Sequence, residues 1–258
     1  MPERMRTAVI TGSASGIGLA TAAYFRRANY RVIGVDLQSA DIISDLSSQE
    51  GRAHASARIL ELAPDGIDAV IPCAGIGGGR TSSMMVSAVN FFGTTRLLDL
   101  LRPQLALGTD ARVVIVSSST AILAHDPVLL EYYLADDEER ALRHSADPML
   151  TYSTGKRALC HWMRSKAVSA EWAGSGIHLN AVAPGVVVTP LTQSALGTAE
   201  GRAAAAAVAP IVLPSYPSPA AIAPLIAFLA CAENSNMIGQ IVFSDGGSEV
   251  LTRGPAFP

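Results

Sequence analysis

Eight residues near the N-terminus, Thr11-Gly12-Ser13-Ala14-Ser15-Gly16-Ile17-Gly18, restrict the possible folds of this chain more than any other stretch. They follow a β-prone run, Thr7-Ala8-Val9-Ile10, and precede a segment with helical spacing at 17–28. Glycines at such a junction let the backbone turn sharply and approach a pyrophosphate, which the N-terminus of the helix then stabilises. A second β-prone run, 31–35, ends beside Asp36 and Leu37. An acid roughly 20 residues beyond the glycines suits the ribose hydroxyls of NAD. Its carboxylate would repel the 2′-phosphate of NADP, and the loop holds no arginine or lysine to attract one. The pattern points to NAD, against the plainer alternative of an ordinary turn followed by a solvated carboxylate.

The same alternation continues to the C-terminus. Strands are expected at 41–43, 67–71, 112–116, 177–182 and 239–243. Helices are expected at 49–62, at 83–101 with a break before Pro103, at 151–172 and at 219–230. Strand and helix in turn predict a single-domain α/β fold of the Rossmann type, a doubly wound parallel sheet with helices on both faces. At 258 residues, 49% hydrophobic and 16% charged, the chain is long and apolar enough for one large core. The formal net charge of -3 without a basic run argues against nucleic acid or an anionic membrane as partner. No apolar leader is evident after Met1, and no stretch is long enough to span a bilayer. Cys73, Cys160 and Cys231 are widely separated and the histidines form no ligand pair, so no metal site and a reduced, cytoplasmic setting are expected.

Two segments interrupt the rhythm: an acidic insert at 125–148 and an alanine- and proline-rich loop at 186–218. Both follow C-terminal ends of expected strands, where open α/β sheets bind ligands. Between them lies Tyr152-Ser153-Thr154-Gly155-Lys156. Residues at i and i+4 share a helix face, so the Lys156 ammonium can stand beside the Tyr152 phenol. A phenol titrates near ~10, and a neighbouring cation lowers that value toward neutrality. Alone, the pair is equally an exposed aromatic and an exposed lysine.

Taken together, these residues resemble the short-chain dehydrogenase/reductase family over essentially the whole chain. The loop matches T-G-x-x-x-G-x-G, through Gly12, Ser15, Gly16, Ile17 and Gly18. Asp45-Leu46 matches the adenine-contacting pair, and Cys73-Ala74-Gly75 stands where Asn-Ala-Gly is usual. Asn90, Ser118, Tyr152 and Lys156 match the catalytic set. Pro184, Gly185, Val187 and Thr189 match the nicotinamide-side segment, and Asp245-Gly246-Gly247 closes the pattern. Within the family the chain is similar to the bacterial 3α-hydroxysteroid dehydrogenase/carbonyl reductase group. Two features depart from the commoner pattern: no room for a helix between Asp36 and Asp45, and the long insert before Tyr152.

The resemblance implies an NAD-dependent oxidoreductase interconverting a secondary alcohol and a ketone, as a homodimer or homotetramer. Tyr152 would exchange the proton, Lys156 would lower the phenol pKa and hold the ribose, and Ser118 would orient the substrate oxygen. Ser117, Ser119 and Thr120 offer competing hydroxyls. Asn90 would hold a water, or else repair a helix kink near Gly93. The apolar loop, with Val186, Val187, Val188, Leu191 and Leu196, suits an apolar substrate, and the resemblance suggests 3α-hydroxysteroids or alicyclic alcohols. The insert is either a lid, with Val128-Leu129-Leu130 and Tyr132-Tyr133 facing the ligand, or a packing element. The alternatives are an NADP-linked ketoreductase and a nucleotide-binding sensor without turnover.

Overall fold

The alternating segments close into one sheet in a computed structural model that describes residues 5–79, 81–144 and 146–255. Residues 1–4, within the stretch read as lacking a leader, lie outside the described residues. In chain order, β1 (Thr7–Thr11) leads to α1 (Gly16–Arg27), β2 (Arg31–Asp36), β3 (Ile42–Ile43), α2 (Gln49–Leu62) and β4 (Ala69–Pro72). Next come α3 (Ser83–Ser87), a π-helical turn (Ala88–Phe92), α4 (Gly93–Leu105) and β5 (Arg112–Val116). The insert forms α5 (Pro127–Leu134) and α6 (Glu138–Arg143), and α7 (Pro148–Ala167) follows. The chain continues through β6 (His178–Pro184), α8 (Pro190–Leu196), α9 (Ala199–Val208), α10 (Ala223–Leu229), β7 (Ile241–Ser244) and α11 (Ser248–Arg253).

All neighbouring strands are parallel, in the order β3-β2-β1-β4-β5-β6-β7. β1, β4 and β5 are buried at every position, as a sheet covered on both faces requires. Alternation splits their side chains between two cores. Val9, Val70 and Val113 join Leu98, Leu159 and Trp172 on one face. Ala8, Ile71 and Val114 join Phe25 and Ile226 on the other. The order reverses between β1 and β4, which opens a crevice at the carboxyl ends of those strands.

The helices depart from the sequence expectations in three places. The helix expected at 83–101 is interrupted by the π-helical turn, and it runs through Pro103 to Leu105. Its last turn is held from outside: the Ile67 amide donates to the Gln104 carbonyl, and the Gln104 side chain donates to the Pro64 carbonyl at 2.9 Å. The helix expected at 151–172 starts earlier, at Pro148, because Asp147 caps it by accepting the Met149 and Leu150 amides. It ends at Ala167. The stretch expected as one helix at 219–230 is a 3₁₀ turn followed by α10.

Of the two readings of the insert, the structure gives the packing element: it is part of the body rather than a lid. Leu129, Tyr133 and Ala141 are buried in the main core, while Val128 faces solvent. Glu138 holds the insert to two helices, accepting from Arg52 of α2 at 2.8 Å and from Arg96 of α4 at 3.3 Å. As expected, no helix intervenes between β2 and β3: they pair directly, Val35 with Ile42 and Asp36 with Ile43.

Candidate active site

The crevice beside β1 is shaped by glycines that nothing larger could replace. Gly12 has φ +65, and a Cβ there would lie 2.8 Å from the Ala74 nitrogen. A Cβ on Gly18 would fall on the Gly12 carbonyl oxygen. The loop therefore presses against β4 and the start of α1 at once, which leaves the helix N-terminus open toward the crevice. Asp36 closes one side. Its carboxylate accepts the Ala14 amide at 2.9 Å and the Leu37 amide at 2.7 Å, so its charge is fixed against the loop.

One continuous cavity runs from this carboxylate across the loop. Gly12, Ser15, Gly16, Ile17, Gly18, Asp36, Leu37, Asp45, Leu46, Cys73, Ala74, Gly75 and Thr189 all line it, as the sequence pattern anticipates. Pro184, Gly185 and Val187 do not, and neither do Tyr152 and Lys156, which were also expected at the cofactor. Gly185 is pressed against Asp245, and Val187 is buried at the base of α8. Sequence reasoning missed Val35, Ser44, Ile76, Met85, Val89 and Val116, whereas Leu191, expected on the substrate side, also lines it. Ile76 simply continues the Cys73-Ala74-Gly75 run. Met85 and Val89 lie four apart on one helix face, a spacing that was available. Leu191 crosses from α8: a Cβ on Gly77 would stand 3.2 Å from its Cδ1.

The fit to a dinucleotide rests on this cradle of glycines before a helix N-terminus and the fixed carboxylate beside it. Among the described residues, no group of three His, Cys, Asp or Glu side chains is placed to hold a metal ion.

The polar cluster stands where β5 and α7 meet. Lys156 is buried, and its Nζ donates to the Val116 carbonyl at 2.8 Å. It also lies 5.6 Å from the Tyr152 ring centroid. The Ser118 hydroxyl is the side chain that favours ionisation of the Tyr152 phenol, whereas Ser117 donates to the Lys156 carbonyl and contacts the Cys160 thiol. The structure thus brings Ser118, and not Ser117, to the tyrosine. Thr120 orients that serine, donating from its Oγ1 at 3.0 Å and its amide at 3.2 Å. Asn90 sits in the π-helical turn, 1% exposed, and pairs twice with one residue. Its Oδ1 accepts the Ile76 amide at 2.8 Å and its Nδ2 donates to the Ile76 carbonyl at 2.9 Å. The carboxamide therefore fixes the cavity wall.

Burial dominates the ionisation of this cluster. It pushes the Tyr152 phenol up, and the Ser118 hydrogen bond opposes the rise. The expected acidification by Lys156 is not what the geometry provides, because the ammonium lies over the ring and is spent on the Val116 carbonyl. Burial lowers Lys156 itself to about 8, against the opposing pull of Cys73 and Cys160. The Cys73 thiol is pushed up to about 12 by burial, which leaves a neutral, unreactive group at the cavity floor.

Over residues 8–190 the chain matches the family described as "NAD dependent epimerase/dehydratase family". Over residues 138–249 it matches "Enoyl-(Acyl carrier protein) reductase". It is 35% identical, over 98% of its length and 100% of the relative's, to the 3-alpha-hydroxysteroid dehydrogenase/carbonyl reductase of Comamonas testosteroni. This chain belongs to the short-chain dehydrogenase/reductase family. It is also 29% identical to the coniferyl-alcohol dehydrogenase of Pseudomonas sp. (strain HR199 / DSM 7063), covering 93% of this chain and 94% of that one. The crystal structure of the 3-alpha-hydroxysteroid dehydrogenase from Pseudomonas sp. B-0831 complexed with NADH superimposes with a TM-score of 0.90. That protein is 37% identical, with 97% of this chain and 100% of that one covered. The protein is accordingly an oxidoreductase of this family with a nucleotide-binding Rossmann fold.

Proposed function

We propose that this dehydrogenase interconverts a secondary alcohol and a ketone with NAD, on an apolar substrate of the 3α-hydroxysteroid or alicyclic class. The observation that carries the reading is the cluster of Tyr152, the buried Lys156 over its ring and held by Val116, and Ser118 oriented by Thr120. When bound, the nicotinamide nucleotide takes up or supplies the hydride. The chain supplies the rest. Tyr152 takes the proton from the alcohol oxygen or returns it to the ketone oxygen. Ser118 donates a hydrogen bond to that oxygen and stabilises charge as it develops. Lys156 supplies positive charge behind the phenol ring and is the residue offered to the ribose.

Asp36 supports NAD, since its carboxylate is pinned on the cavity wall where the 2′-phosphate of NADP would meet like charge. Thr189 is offered to the nicotinamide side, with Asp45 and Leu46 toward the adenine. The loop at 186–218 supports an apolar ligand through Val188 and Leu191, both substantially exposed. We read the assembly as a homodimer or homotetramer, which light scattering would establish.

Absorbance at 340 nm, followed in both directions with NAD and NADP over a panel of steroid, alicyclic and sugar alcohols, tests the reading. Oxidation of 3α-hydroxysteroids with NAD is the expected result. Turnover of small sugars alone would remove the steroid assignment, and a preference for NADP would remove the cofactor assignment.

A further inference from the structure

The insert brings one buried hydroxyl to the site from outside the family's catalytic set. Tyr133 of α5 is 2% exposed, and its Oη stands 2.7 Å from the Oγ of Ser87, the residue that immediately precedes the π-helical turn. Its ring lies 4.5 Å from Phe91 and 5.7 Å from Phe92, both within that turn. On its other side the same hydroxyl faces α7, where a Cβ built on Gly155 would lie 3.8 Å away. Gly155 stands between Tyr152 and Lys156 in the chain. Tyr133 therefore holds the turn that carries Asn90, with its hydroxyl directed toward the stretch of α7 between the tyrosine and the lysine.

We propose that Tyr133 is a positioning residue for the reaction, a brace from the insert that sets the register of the Asn90 turn against α7. The inference rests on the alcohol–ketone reading above. A π-helical turn holds an extra residue and persists only where its surroundings over-determine it. Relaxation to regular helix shifts the register by one residue, which swings a side chain by about 100° around the axis. Asn90 would then lose both bonds to Ile76, and the cavity wall from Gly75 to Ile76 would lose its clamp. Packing against Phe91 and Phe92 needs only a ring. A hydroxyl buried there is unfavourable without a partner, so its single bond to Ser87 specifies position in a way a phenylalanine cannot.

The test uses the full chain as Tyr133→Phe, Ser87→Ala and the double variant, with Ile59→Val as a stability control remote from the site. Hydrogen exchange of the Ile76 amide and steady-state kinetics with NAD and a 3α-hydroxysteroid are measured on each. Each single variant should exchange the Ile76 amide faster and lose about tenfold in kcat, with little change in KM, near the upper limit for one buried hydrogen bond. The double variant should be no worse than either single one, since both partners are then apolar. Ile59→Val should do neither. Unchanged Ile76 exchange in Tyr133→Phe overturns the brace, as does faster exchange with full turnover or a multiplicative loss in the double variant. Tyr152→Phe run alongside separates the two ideas: if it keeps turnover, the functional reading falls, and Ile76 exchange still judges the brace.

Discussion

The ammonium of Lys156 lies 5.6 Å from the ring centroid of Tyr152 and is hydrogen-bonded to the Val116 carbonyl instead of the phenol. The charge is thus held in place by a strand end, at the expense of burial, which lowers its pKa to about 8. Below about pH 8 both folded and unfolded chains carry the proton, and the full burial penalty stands. Between about 8 and 10.5 the unfolded chain keeps its proton while the folded one releases it, so the penalty fades as pH rises. The shift corresponds to on the order of 3 kcal/mol, and removing the donor to Val116 gives back about 1 kcal/mol. Lys156→Met should therefore be more stable than the native chain at pH 7, by about 2 kcal/mol, with the gain disappearing by pH 10.5. Urea unfolding at the two pH values measures it. Turnover should collapse in the same variant.

Tyr152→Phe removes the proton carrier and leaves the ring against Lys156. Proton transfer of this kind contributes roughly 10²–10⁴-fold, so kcat should fall by that factor. NADH binding, followed by fluorescence, should change little, because the cavity wall does not depend on the hydroxyl. Turnover within tenfold of native would show that another group carries the proton.

Asp36→Arg exchanges a carboxylate fixed by two loop amides for a cation at the same wall. Like charge opposite a phosphate is penalised by several kcal/mol, so the ratio of kcat/KM for NADP over NAD should rise by at least about tenfold. Asp36→Asn should fall between the two, since it can still accept one amide. An unchanged ratio in both variants would mean that selectivity is set elsewhere.

How much of this could be read in advance differs from element to element. The bounds of α2 are those the sequence gives, because its signal is local: Ser48 caps it through the Gly51 amide. The glycine loop and Asp36 are legible for the same reason, since the required turn and charge are written in adjacent residues. The choice of Ser118 over Ser117 comes from the register of the family motif, since alternation alone does not say which hydroxyl faces the tyrosine and β5 ends at Val116. The π-helical turn leaves a fainter trace, the polar Asn90 beside Gly93 that admits a helix kink. Its form is accompanied by contacts between distant parts of the chain, Asn90 with Ile76 and Leu46 close to Gly93. The position of the insert is equally tertiary: its acidic run reads as solvated until Arg52 and Arg96 are seen to meet Glu138.

Gly18→Ala tests the cradle directly. The added methyl would strike the Gly12 carbonyl, which is backbone and cannot turn aside. Either α1 moves back or the loop opens, and both withdraw the helix N-terminus from the cavity. NADH affinity should fall at least tenfold, with some loss of melting temperature. Native affinity would show that the loop has slack the structure does not display.

Glu138→Gln addresses the attachment of the insert. Arg52 is 5% exposed, one of its guanidinium nitrogens, Nη1, has no hydrogen-bond partner, and Glu138 is its ion-pair partner at 2.8 Å. Breaking such a pair from one side leaves a buried charge uncompensated, which destabilises a protein by roughly 3–5 kcal/mol. Glu138 is partly exposed, so screening reduces the expected loss to about 2 kcal/mol. Replacing both partners, as Arg52→Met with Glu138→Leu, should recover most of it, because the charge and its desolvation disappear together. Urea unfolding of the single and double variants gives the comparison. A double variant less stable than Glu138→Gln would mean that the ion pair itself, rather than the relief of a buried charge, holds the insert to the sheet's helices.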